Sequence, residues 1–527
     1  MLSVRGVKVK KRKRALIIFR LTVNGLRPDG MKRNADTKWS FSADRTFYEA
    51  VINYNLYSAR KVTCNTLKNK IFNFRFLLVF MACIIVILPS LWILFVCLEK
   101  ENPSVKVETQ SKSVAIGSTK NLSISASDQK RGLRKILIAI VKDGKESVLL
   151  EKEYPSGNIL GGGKVTRDDI NLPIDTKKLG IADGKAVLKM TAYDYSWQGW
   201  WNGNITTVEK DIVIDTKKPE VSVLSGIQNL NQGGSGIVIY SLSEPCENNG
   251  VYAGGNFFPG YNGLFNDKNI YTSFFALDYD KGPGTEIFIE AADDAGNSTK
   301  RGFSVHIKAQ KFKKDSINIS DTFLNSKMPE FDAEITQDSK TSPVDKFLKV
   351  NRDLRSENYK KITELVKNTD KTLLWDGVFV SFPNSKKMAG FADHRDYNYQ
   401  NKYIDSQVHL GVDLASVANA PVPAANRGKV IFTGDLGIYG KTVLMDHGFG
   451  LFSVYSHLNS FDVKEGDIIE KSAVVGRSGS TGLAAGDHLH FSVLVNNIFV
   501  NPLEWWDASW IANNITGKIQ AVKSGSN

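Results

Sequence analysis

The stretch GDHLHFSVLV, residues 486–495, places two histidines two positions apart in a run that alternates polar and apolar side chains. His488 and His490 alternate with Leu489, Phe491 and Val493. A period of two is typical of a β-strand, in which every second side chain lies on the same face. A helix would point positions i and i+2 away from each other. The pattern therefore predicts a strand that holds both imidazoles side by side, as a metal site or acid–base chemistry would require.

The positive charge of the chain is confined to its N-terminal end. Residues 1–75 hold 18 Lys and Arg against 4 Asp and Glu, whereas the net charge of all 527 residues is +13. The remaining residues are therefore nearly neutral. Because the basic residues do not recur beyond this segment, the charge does not indicate a nucleic-acid partner. We expect residues 1–75 to form a basic cytoplasmic segment.

A long apolar run follows the basic segment. Residues 76–98, FLLVFMACIIVILPSLWILFVCL, contain no charged side chain and suffice to cross a bilayer with some tilt. Basic residues precede the run without an intervening acid, namely Arg60, Lys61, Lys68, Lys70 and Arg75. The positive-inside rule then predicts a transmembrane helix at 76–98 with a cytoplasmic N-terminus, and places everything after Glu99 outside.

Two alternatives to an uncleaved anchor are a cleaved signal peptide and a lipoprotein signal. The run is longer than a signal-peptide core and has no A-x-A pattern after it. Val96 precedes Cys97 where a lipidation signal would need a small residue. The anchor is therefore favoured. For residues 1–59 two interpretations stay open: a disordered basic tail, or an overlong start, since translation from Met31 would leave the anchor intact.

Two regions after the anchor alternate short apolar stretches with turn residues. They include RKILIAIV and AVLKMTAYD in residues 103–217, and GIVIYSLSE and TEIFIEAADDAGN in residues 218–310. Strands about ten residues apart with Gly, Asn and Asp between them favour an antiparallel β-sandwich. The strings VIDTKKPEVSV and DDAGNS are similar to the edges of bacterial immunoglobulin-like modules. We expect an immunoglobulin-like β module at 103–217 and a second β module at 218–310.

Three tryptophans lie close together in YSWQGWWNGN, residues 195–204, beside Gly and Asn. If Trp197, Trp200 and Trp201 are exposed, their rings could stack on sugar faces. The favoured interpretation is that they fill the base of the β module, because large aromatic side chains mostly serve burial.

Residues 311–372 contain more Lys, Asp and Ser and few strand signals. Apolar residues recur there at roughly helical spacing, at Phe347, Val350, Leu354, Ile362, Leu365 and Val366. This predicts a linker with an amphipathic helix. Residues 373–510 are again rich in strand patterns, and residues 511–527 are expected to be a polar tail. The fold class is therefore mainly β.

Cys246 is alone beyond the anchor, so neither an intrachain disulfide nor a thiolate metal site is expected there.

Five of the seven histidines fall within residues 409–490. His409 and Asp413 are four positions apart, which brings an imidazole and a carboxylate together in either a strand or a helix. His457 ends another alternating stretch, FSVYSHLNS. A catalytic zinc commonly takes three His, Asp or Glu ligands and leaves a position for water. His409, Asp413 and one of the paired histidines would form such a set, and two histidines would remain for acid–base chemistry.

The ordered motifs H-x-x-x-D, an isolated histidine and H-x-H resemble those of the lysostaphin/LytM family of zinc metallopeptidases. The resemblance rests on QVHLGVDLAS, APVPAANRGKVIF, GDHLHFSVLVNN and the segments between them, from Gly390 to Trp506. Ser492 departs from the pattern, since many members carry an acid at that position. His447 lies in a DHG turn and is assigned a structural role, and the solitary His306 and His394 are assigned none in catalysis.

The resemblance implies that His409, Asp413 and His490 bind one Zn²⁺ per chain. It also implies that His457 and His488 are the non-ligand pair, which activates water and stabilises the tetrahedral intermediate. Family members cleave peptide bonds in the stems or cross-bridges of peptidoglycan, on a scaffold of antiparallel sheets. Residues 373–510 are thus expected to be a LytM-type zinc peptidase domain.

The leading hypothesis is a membrane-anchored zinc metalloendopeptidase that hydrolyses peptide bonds in peptidoglycan stems or cross-links. The alternative is a non-catalytic LytM-type scaffold that recruits or activates another cell-wall hydrolase, as some relatives that lost ligands do. The expected location is the bacterial inner membrane, with the peptidase domain in the periplasm. Expected partners are peptidoglycan, the membrane, and cell-wall or division proteins bound through the β modules.

Overall fold

The computed structural model describes residues 64–108, 114–157, 162–335 and 341–525. The predictions for residues 1–63 lie outside these described residues. The chain divides into two units, Met1–Leu98 and Glu99–Asn527, which are considered separately below. Strands outnumber helices in the second unit, so the expected mainly β fold is confirmed.

The described part of the first unit is a helix, α1 (Cys64–Cys97). Its segment Phe76–Cys97 has 22 residues and a mean hydropathy of 2.8, and is long and apolar enough to cross a membrane. At 1.5 Å per residue this segment measures about 33 Å, close to the thickness of a hydrocarbon core. Pro89 lies inside the helix. Whether the segment serves as an anchor stays a prediction.

The second unit begins with eight strands. They are β1 (Ser104–Val107), β2 (Val114–Ile116), β3 (Thr119–Ser127), β4 (Leu133–Lys142), β5 (Lys145–Glu153), β6 (Arg167–Asp175), β7 (Gly184–Asp194) and β8 (Ile205–Ile214). They form two sheets, with strand orders β1–β3–β6 and β2–β8–β7–β4–β5. One hydrophobic cluster contains side chains of both sheets, among them Ile124 and Leu172 from the first and Ile138 and Leu188 from the second.

The tryptophans at 197–201 lie in a helical turn, Gln198–Trp201, between β7 and β8. Trp200 and Trp201 are 93% and 63% exposed, so the favoured interpretation that they fill the base of the module is wrong for these two side chains. The physical reason is local: Gly199, Trp200 and Trp201 all have positive φ, which turns the chain outside the sheets. The ring of Trp201 packs on Trp197, with centroids 4.3 Å apart.

Nine strands follow in residues 221–308. They are β9 (Val221–Val223), β10 (Gln228–Asn231), β11 (Ser235–Leu242), β12 (Asn248–Ala253), β13 (Asn256–Pro259), β14 (Ile270–Ala276), β15 (Ile287–Ala292), β16 (Ser298–Gly302) and β17 (Val305–Lys308). Their sheets have the orders β14–β11–β9, β13–β12–β15–β16 and β10–β17. Cys246 is buried and free.

The next segment contains one strand and several helices. They are β18 (Lys314–Ile319), α2 (Asp321–Lys327), a 3₁₀ turn (Met328–Phe331), α3 (Pro343–Lys349), a π-turn (Val350–Leu354) and α4 (Arg355–Leu365). Helical structure spans residues 343–365, where an amphipathic helix is expected, and Phe347, Val350, Leu354 and Ile362 are buried. Ser342 caps its N-terminus by accepting a hydrogen bond from the amide of Asp345.

Thirteen strands of the described chain complete the β structure. They are β19 (Lys386–Ala389), β20 (Asp393–Tyr399), β21 (Lys402–His409), β22 (Val412–Ala415), β23 (Pro421–Pro423), β24 (Gly428–Asp435), β25 (Lys441–Asp446), β26 (Leu451–Leu458), β27 (Ser460–Phe461), β28 (Ile468–Ile469), β29 (Val474–Arg477), β30 (Leu489–Val495) and β31 (Ile498–Val500). The main sheet has the order β19–β22–β30–β26–β25–β24–β28, and β31 pairs with β30. Two smaller sheets have the orders β18–β20–β21 and β23–β29–β27.

The chain ends in helical structure. Its elements are α5 (Pro502–Trp506), α6 (Ala508–Ile511), a π-turn (Ala512–Thr516) and α7 (Gly517–Gly525). The prediction of a polar tail at 511–527 differs from this, because Ile511, Ile515, Ile519 and Val522 are buried. Their spacing of four, four and three positions forms one apolar stripe on a helix.

One hydrophobic cluster extends from Val221 to Val522. It joins the segments expected at 218–310, 311–372 and 373–510, for example where Phe274 on β14 contacts Trp505 with ring centroids 5.9 Å apart. The boundaries between these segments stay predictions. For the site, the consequence is that the segment before β19 is packed against the main sheet.

Candidate metal centre and active site

The register of the strands in the main sheet brings His490, the second histidine of the H-x-H motif, next to Asp413 of the H-x-x-x-D motif. β22 pairs antiparallel with β30 so that Asp413 lies directly opposite His490. On its other side, β30 pairs with β26, where His490 lies opposite Ser456. His457 follows Ser456 in the chain. Asp413, His490 and His457, which are far apart in the sequence, therefore come together on the adjacent strands β22, β30 and β26.

His409 and Asp413 lie on two strands rather than on one strand or one helical turn. β21 ends at His409 and β22 begins at Val412, with Leu410 and Gly411 between them. A Cβ at Gly411 would lie 2.6 Å from His490 Nε2 and 2.6 Å from Ser492 Oγ. Glycine is required at this position because the His490 ring occupies the space that any side chain would need.

Three candidate ligand atoms form a nearly equilateral triangle. His409 Nε2 lies 2.9 Å from Asp413 Oδ1 and 3.0 Å from His490 Nδ1. His490 Nδ1 lies 2.9 Å from the same Asp413 oxygen. Ligands 2.0–2.1 Å from a tetrahedral zinc are separated by about 3.3 Å. The three atoms therefore stand close to the separation that a zinc ion requires.

The second nitrogen of each ligand histidine fixes which nitrogen carries the proton. His409 Nδ1 lies 2.7 Å from the carbonyl oxygen of Gly390, which can only accept, so Nδ1 donates. Ser492 Oγ donates to the carbonyl of Leu410 at 2.8 Å and lies 3.0 Å from His490 Nε2, so Nε2 of His490 donates to Ser492. When the rings are neutral, this orientation points lone pairs from His409 Nε2 and His490 Nδ1 into the triangle.

Two imidazole nitrogens and a carboxylate oxygen thus converge on one buried point, and with both rings neutral no proton lies between them. Such an arrangement is stabilised by a cation, and the donor set N, N, O fits a catalytic zinc site. Burial by itself would raise the pKa of Asp413, but the neighbouring His409 and His490 hold this pKa well below its usual value. Asp413 is therefore an anion, as a metal ligand must be.

Arg395 on β20 orients the ligand carboxylate. Its Nη2 donates to Asp413 Oδ2 at 2.8 Å, which leaves Oδ1 to the triangle. The guanidinium is mostly buried; desolvation would lower its pKa, but the charge of Asp413 raises the pKa above its usual value. The pair therefore stays ionised and fixes which carboxylate oxygen faces the site.

His457 and His488 lie beside the triangle and outside it. Their rings are 4.8 Å apart between centroids, and His457 is 5.7 Å from the ring of His490. His457 Nδ1 donates to the carbonyl of Thr481 at 2.8 Å, and His488 Nδ1 donates to the carbonyl of Gly486 at 2.8 Å. Each ring therefore keeps Nε2 for the site. His488 Nε2 lies 3.6 Å from Asp413 Oδ1.

His457 is held in an unusual state for a histidine. Burial, together with the neighbouring His488 and His490, lowers its pKa well below the usual value, so the ring is neutral at physiological pH. Its backbone has a φ of +62°, a conformation that non-glycine residues rarely adopt and that clusters at functional sites. A neutral imidazole with a free Nε2 can accept a proton.

The structure brings together all five residues that the sequence singled out as ligands or catalytic groups. His447 is separate from them: it is fully buried, donates from Nδ1 to the carbonyl of Arg427 at 2.7 Å and contacts Ser453 Oγ at 2.7 Å. Burial lowers the pKa of His447 to about 4. His306 is exposed, and His394 packs on Tyr279 with ring centroids 6.4 Å apart. None of these three lines the pocket.

Sequence reasoning missed three groups that support the site. Arg395 carries no motif of its own, and its contact with Asp413 depends on how β20 lies against β22. The carbonyl of Gly390 acts through its backbone, which leaves no trace in residue type. Ser492 was noted only as a departure, although its place two positions after His490 puts it on the same strand face and could have indicated the contact.

A model of peptidase family M23 matches residues 407–502. This match contains all five site residues. Residues 407–502 form a peptidase family M23 domain. Arg395 and the segment that contains α2, α3 and α4 lie outside the matched residues of the M23 domain.

Curated relatives of the M23 domain include proteins named as DD-peptidases. The chain is 37% identical over 97 residues to the DD-carboxypeptidase/endopeptidase Mpg of Neisseria meningitidis serogroup B, a match that covers 18% of this chain and 22% of the relative. It is 35% identical over 96 residues to the peptidoglycan DD-endopeptidase ShyB of Vibrio cholerae, with the same two coverages. The chain thus spans about a fifth of the length of the curated relatives it matches.

A solved structure resembles the M23 domain as well. The catalytic domain of lysostaphin from Staphylococcus simulans is 29% identical, covers 23% of this chain and 92% of its own, and has a TM-score of 0.21. The match is confined to less than a quarter of the present chain.

Proposed function

We propose that the chain is a membrane-anchored zinc metalloendopeptidase that hydrolyses peptide bonds in peptidoglycan stems or cross-links. The observation that carries this proposal is the convergence of lone pairs from His409 Nε2, His490 Nδ1 and Asp413 Oδ1, with edges of 2.9–3.0 Å. Two further imidazoles face the same pocket. The substrate class is supported by the name of one relative, a peptidoglycan DD-endopeptidase, and by that of another, a DD-carboxypeptidase/endopeptidase.

His409, Asp413 and His490 would hold one zinc ion, which when bound supplies a Lewis acid for the scissile carbonyl and lowers the pKa of water. Neutral His457 accepts at Nε2 the proton that the attacking water loses. His488 already donates from Nδ1 to Gly486, so in its doubly protonated form it also donates from Nε2, to the oxygen that gains charge as the carbonyl carbon becomes tetrahedral. The C–N bond then breaks, and the proton held by His457 passes to the leaving amine.

The proposed anchor is α1, whose segment Phe76–Cys97 is apolar over 22 residues. The basic residues before it support a cytoplasmic N-terminus, and hence a periplasmic M23 domain in a bacterium with an inner membrane. A reporter enzyme that is active only outside the cytoplasm, fused after residue 110, should be active. Activity of a cytoplasm-specific reporter at that point would contradict the orientation, and a shortened product would contradict an uncleaved anchor.

Digestion of purified sacculi tests the activity. The full-length protein, purified in detergent and loaded with zinc, should release cross-link fragments that mass analysis identifies, and chelation should stop the release. His457→Ala should lower the rate by roughly 10²–10⁴, the usual contribution of a general acid–base residue. His306→Ala is the matched control, because this histidine is exposed and outside the pocket. If a folded, zinc-loaded sample leaves cross-linked dimers intact across neutral pH, the hydrolase proposal is wrong.

The competing hypothesis is a non-catalytic scaffold that recruits or activates another wall hydrolase. The large β regions before the M23 domain motivate it, since they could bind cell-wall or division proteins. Complementation separates the two functions. A scaffold would restore a deletion strain even with His457→Ala or His490→Ala, whereas an enzyme would not.

A further inference from the structure

The pocket at the proposed metal centre has a second wall that lies outside the M23 domain. The pocket measures about 300 Å³, and Ile317, Phe323, Phe347 and Arg355 line it together with the five site residues. These four belong to β18, α2, α3 and α4. They precede residues 407–502 in the chain, so this wall of the pocket lies outside the segment that the M23 model matches.

Arg355 stands in this wall without a carboxylate partner among the described residues. Its Nε donates to the carbonyl oxygen of Asn351 at 3.1 Å, and its Nη2 donates to Asn351 Oδ1 at 2.7 Å. Both acceptors are neutral oxygens. By contrast, Arg352 pairs with Asp405 at 2.9 Å and Arg395 pairs with Asp413 at 2.8 Å.

The guanidinium of Arg355 is held in a fixed orientation. Asn351 is fully buried, and its Nδ2 donates to Asp405 Oδ2 at 2.7 Å, so its Oδ1 has to face Arg355. Asn351 lies in the π-turn Val350–Leu354, a feature frequent at functional sites. Two bonds to one residue occupy Nε and one hydrogen of Nη2. The Nη1 edge remains for a ligand in the pocket.

Arg355 lines the same pocket as the five site residues. Burial raises the pKa of Tyr439, and the charge of Arg355 is near enough to oppose that rise. The ring of Tyr439 in turn packs on the ring of His490, with centroids 5.6 Å apart. Arg355, Tyr439 and the proposed metal ligand His490 therefore all lie along one pocket.

The charge balance of the pocket favours an anion. Apart from imidazoles, the charged side chains among the described residues that line it are Arg355, Arg395 and Asp413. Asp413 neutralises Arg395, so one positive charge is left on Arg355 even without a metal ion. A divalent cation would add to it. A cation in a partly enclosed apolar pocket attracts a carboxylate more strongly than one in open water.

We propose that Arg355 binds a free carboxylate of the peptide substrate, next to the bond that is hydrolysed. A guanidinium matches a carboxylate through parallel N–H···O bonds and cannot lose its charge. The proposal rests on the proposed function and makes it more specific. It assigns the site to peptide segments that carry a carboxylate near the scissile amide and disfavours bridges that lack one, such as oligoglycine.

Matched ligands test the assignment without any turnover. Titration calorimetry on the full-length protein, kept metal-free with chelator, compares N-acetyl-D-alanyl-D-alanine with its C-terminal carboxamide. The wild type should bind the acid about 10- to 100-fold more tightly, the usual effect of hydrogen bonds to a charged group. Arg355→Gln should abolish the difference, and Arg355→Lys should keep part of it, since the charge stays but the planar fork is lost.

Lys360→Gln is the matched control, because it removes one positive charge from an exposed position on the same helix, α4. It should leave the preference for the acid unchanged. Equal affinities of the wild type for acid and amide, failure to bind the acid, or a preference that survives in a folded Arg355→Gln protein would each overturn the proposal.

Hydrolysis of sacculi by the zinc-loaded protein separates this proposal from the proposed function. A preference for the acid without hydrolysis would uphold the carboxylate site and contradict the peptidase. Hydrolysis without any preference would uphold the peptidase and contradict the carboxylate site. Circular dichroism of each variant shows whether the fold is retained.

Discussion

A buried glutamate far from the proposed metal centre should make the stability of the second unit depend on pH. Glu504 lies on α5 and is 5% exposed. Its Oε1 accepts from Asn231 Nδ2 at 2.7 Å and its Oε2 accepts from the amide of Ser235 at 3.0 Å. Burial raises the pKa of Glu504 from 4.5 to about 7, although these hydrogen bonds oppose the rise.

The sign and the size of the effect follow from this pKa. The folded state holds the proton more tightly than the unfolded state, where the pKa is close to 4.5. The stabilisation is therefore fully present below pH 4.5 and is lost as the pH rises through about 7. At 1.36 kcal/mol per pKa unit, the loss amounts to about 3 kcal/mol. Glu504→Gln removes this titration and keeps the shape of the side chain.

Urea unfolding at a series of pH values measures the effect. Between about pH 4 and pH 8 the free energy of unfolding of the wild type should fall by about 3 kcal/mol relative to that of Glu504→Gln. Other titrating groups are common to both proteins and cancel in the difference. Glu357→Gln, at an exposed position on α4, is the control and should follow the wild type. Parallel curves for the wild type and Glu504→Gln over this range would refute the reasoning.

Three further predictions concern the proposed metal centre. His490→Ala should lose most of the bound zinc, whereas His488→Ala should keep it and slow hydrolysis by roughly 10²–10⁴; equal zinc loss in metal analysis would reverse the assignment. Ser492→Ala removes the acceptor of the His490 Nε2 proton and should weaken zinc binding by about 10- to 100-fold in chelator competition, so unchanged affinity would exclude an orienting role. Gly411→Ala should displace the His490 ring and lower zinc content, whereas Gly302→Ala, where a Cβ meets nothing within 4 Å, should not.

Several features of the fold lay within reach of local patterns. The apolar run of α1, the alternation in β30 and the helical spacing around Phe347 each depend on neighbours within a few positions of the chain. An equally local pattern is the apolar stripe on the C-terminal helix, formed by Ile511, Ile515, Ile519 and Val522. It was overlooked because polar residues outnumber apolar ones in that segment. Trp200 shows the opposite case: its residue type favours burial, but the left-handed backbone of its turn turns it outward.

The ordered motifs in the sequence alone were enough to select His409, Asp413, His457, His488 and His490. The order of motifs along the chain, together with the period of two in β30, carries that information, because both are properties of the chain itself. The sequence could not say which nitrogen of each ring faces the site. It also left open which other groups surround these five residues, and whether those groups are charged, as Arg395 is, or neutral, as Ser492 is.

Only the tertiary structure decided those points, because they depend on pairing between strands and helices distant in sequence. The register of β22 against β30 sets Asp413 opposite His490. The backbone carbonyls of Gly390 and Thr481 accept hydrogen bonds from Nδ1 of His409 and of His457. A carbonyl is the same in every residue, so no sequence pattern marks it. Arg355 likewise reaches the pocket only because α4 packs beside it, where Asn358 on α4 accepts a hydrogen bond from the amide of Ile438 at 2.8 Å. In a partly enclosed pocket of low dielectric constant, one unpaired charge acts more strongly than it would in water.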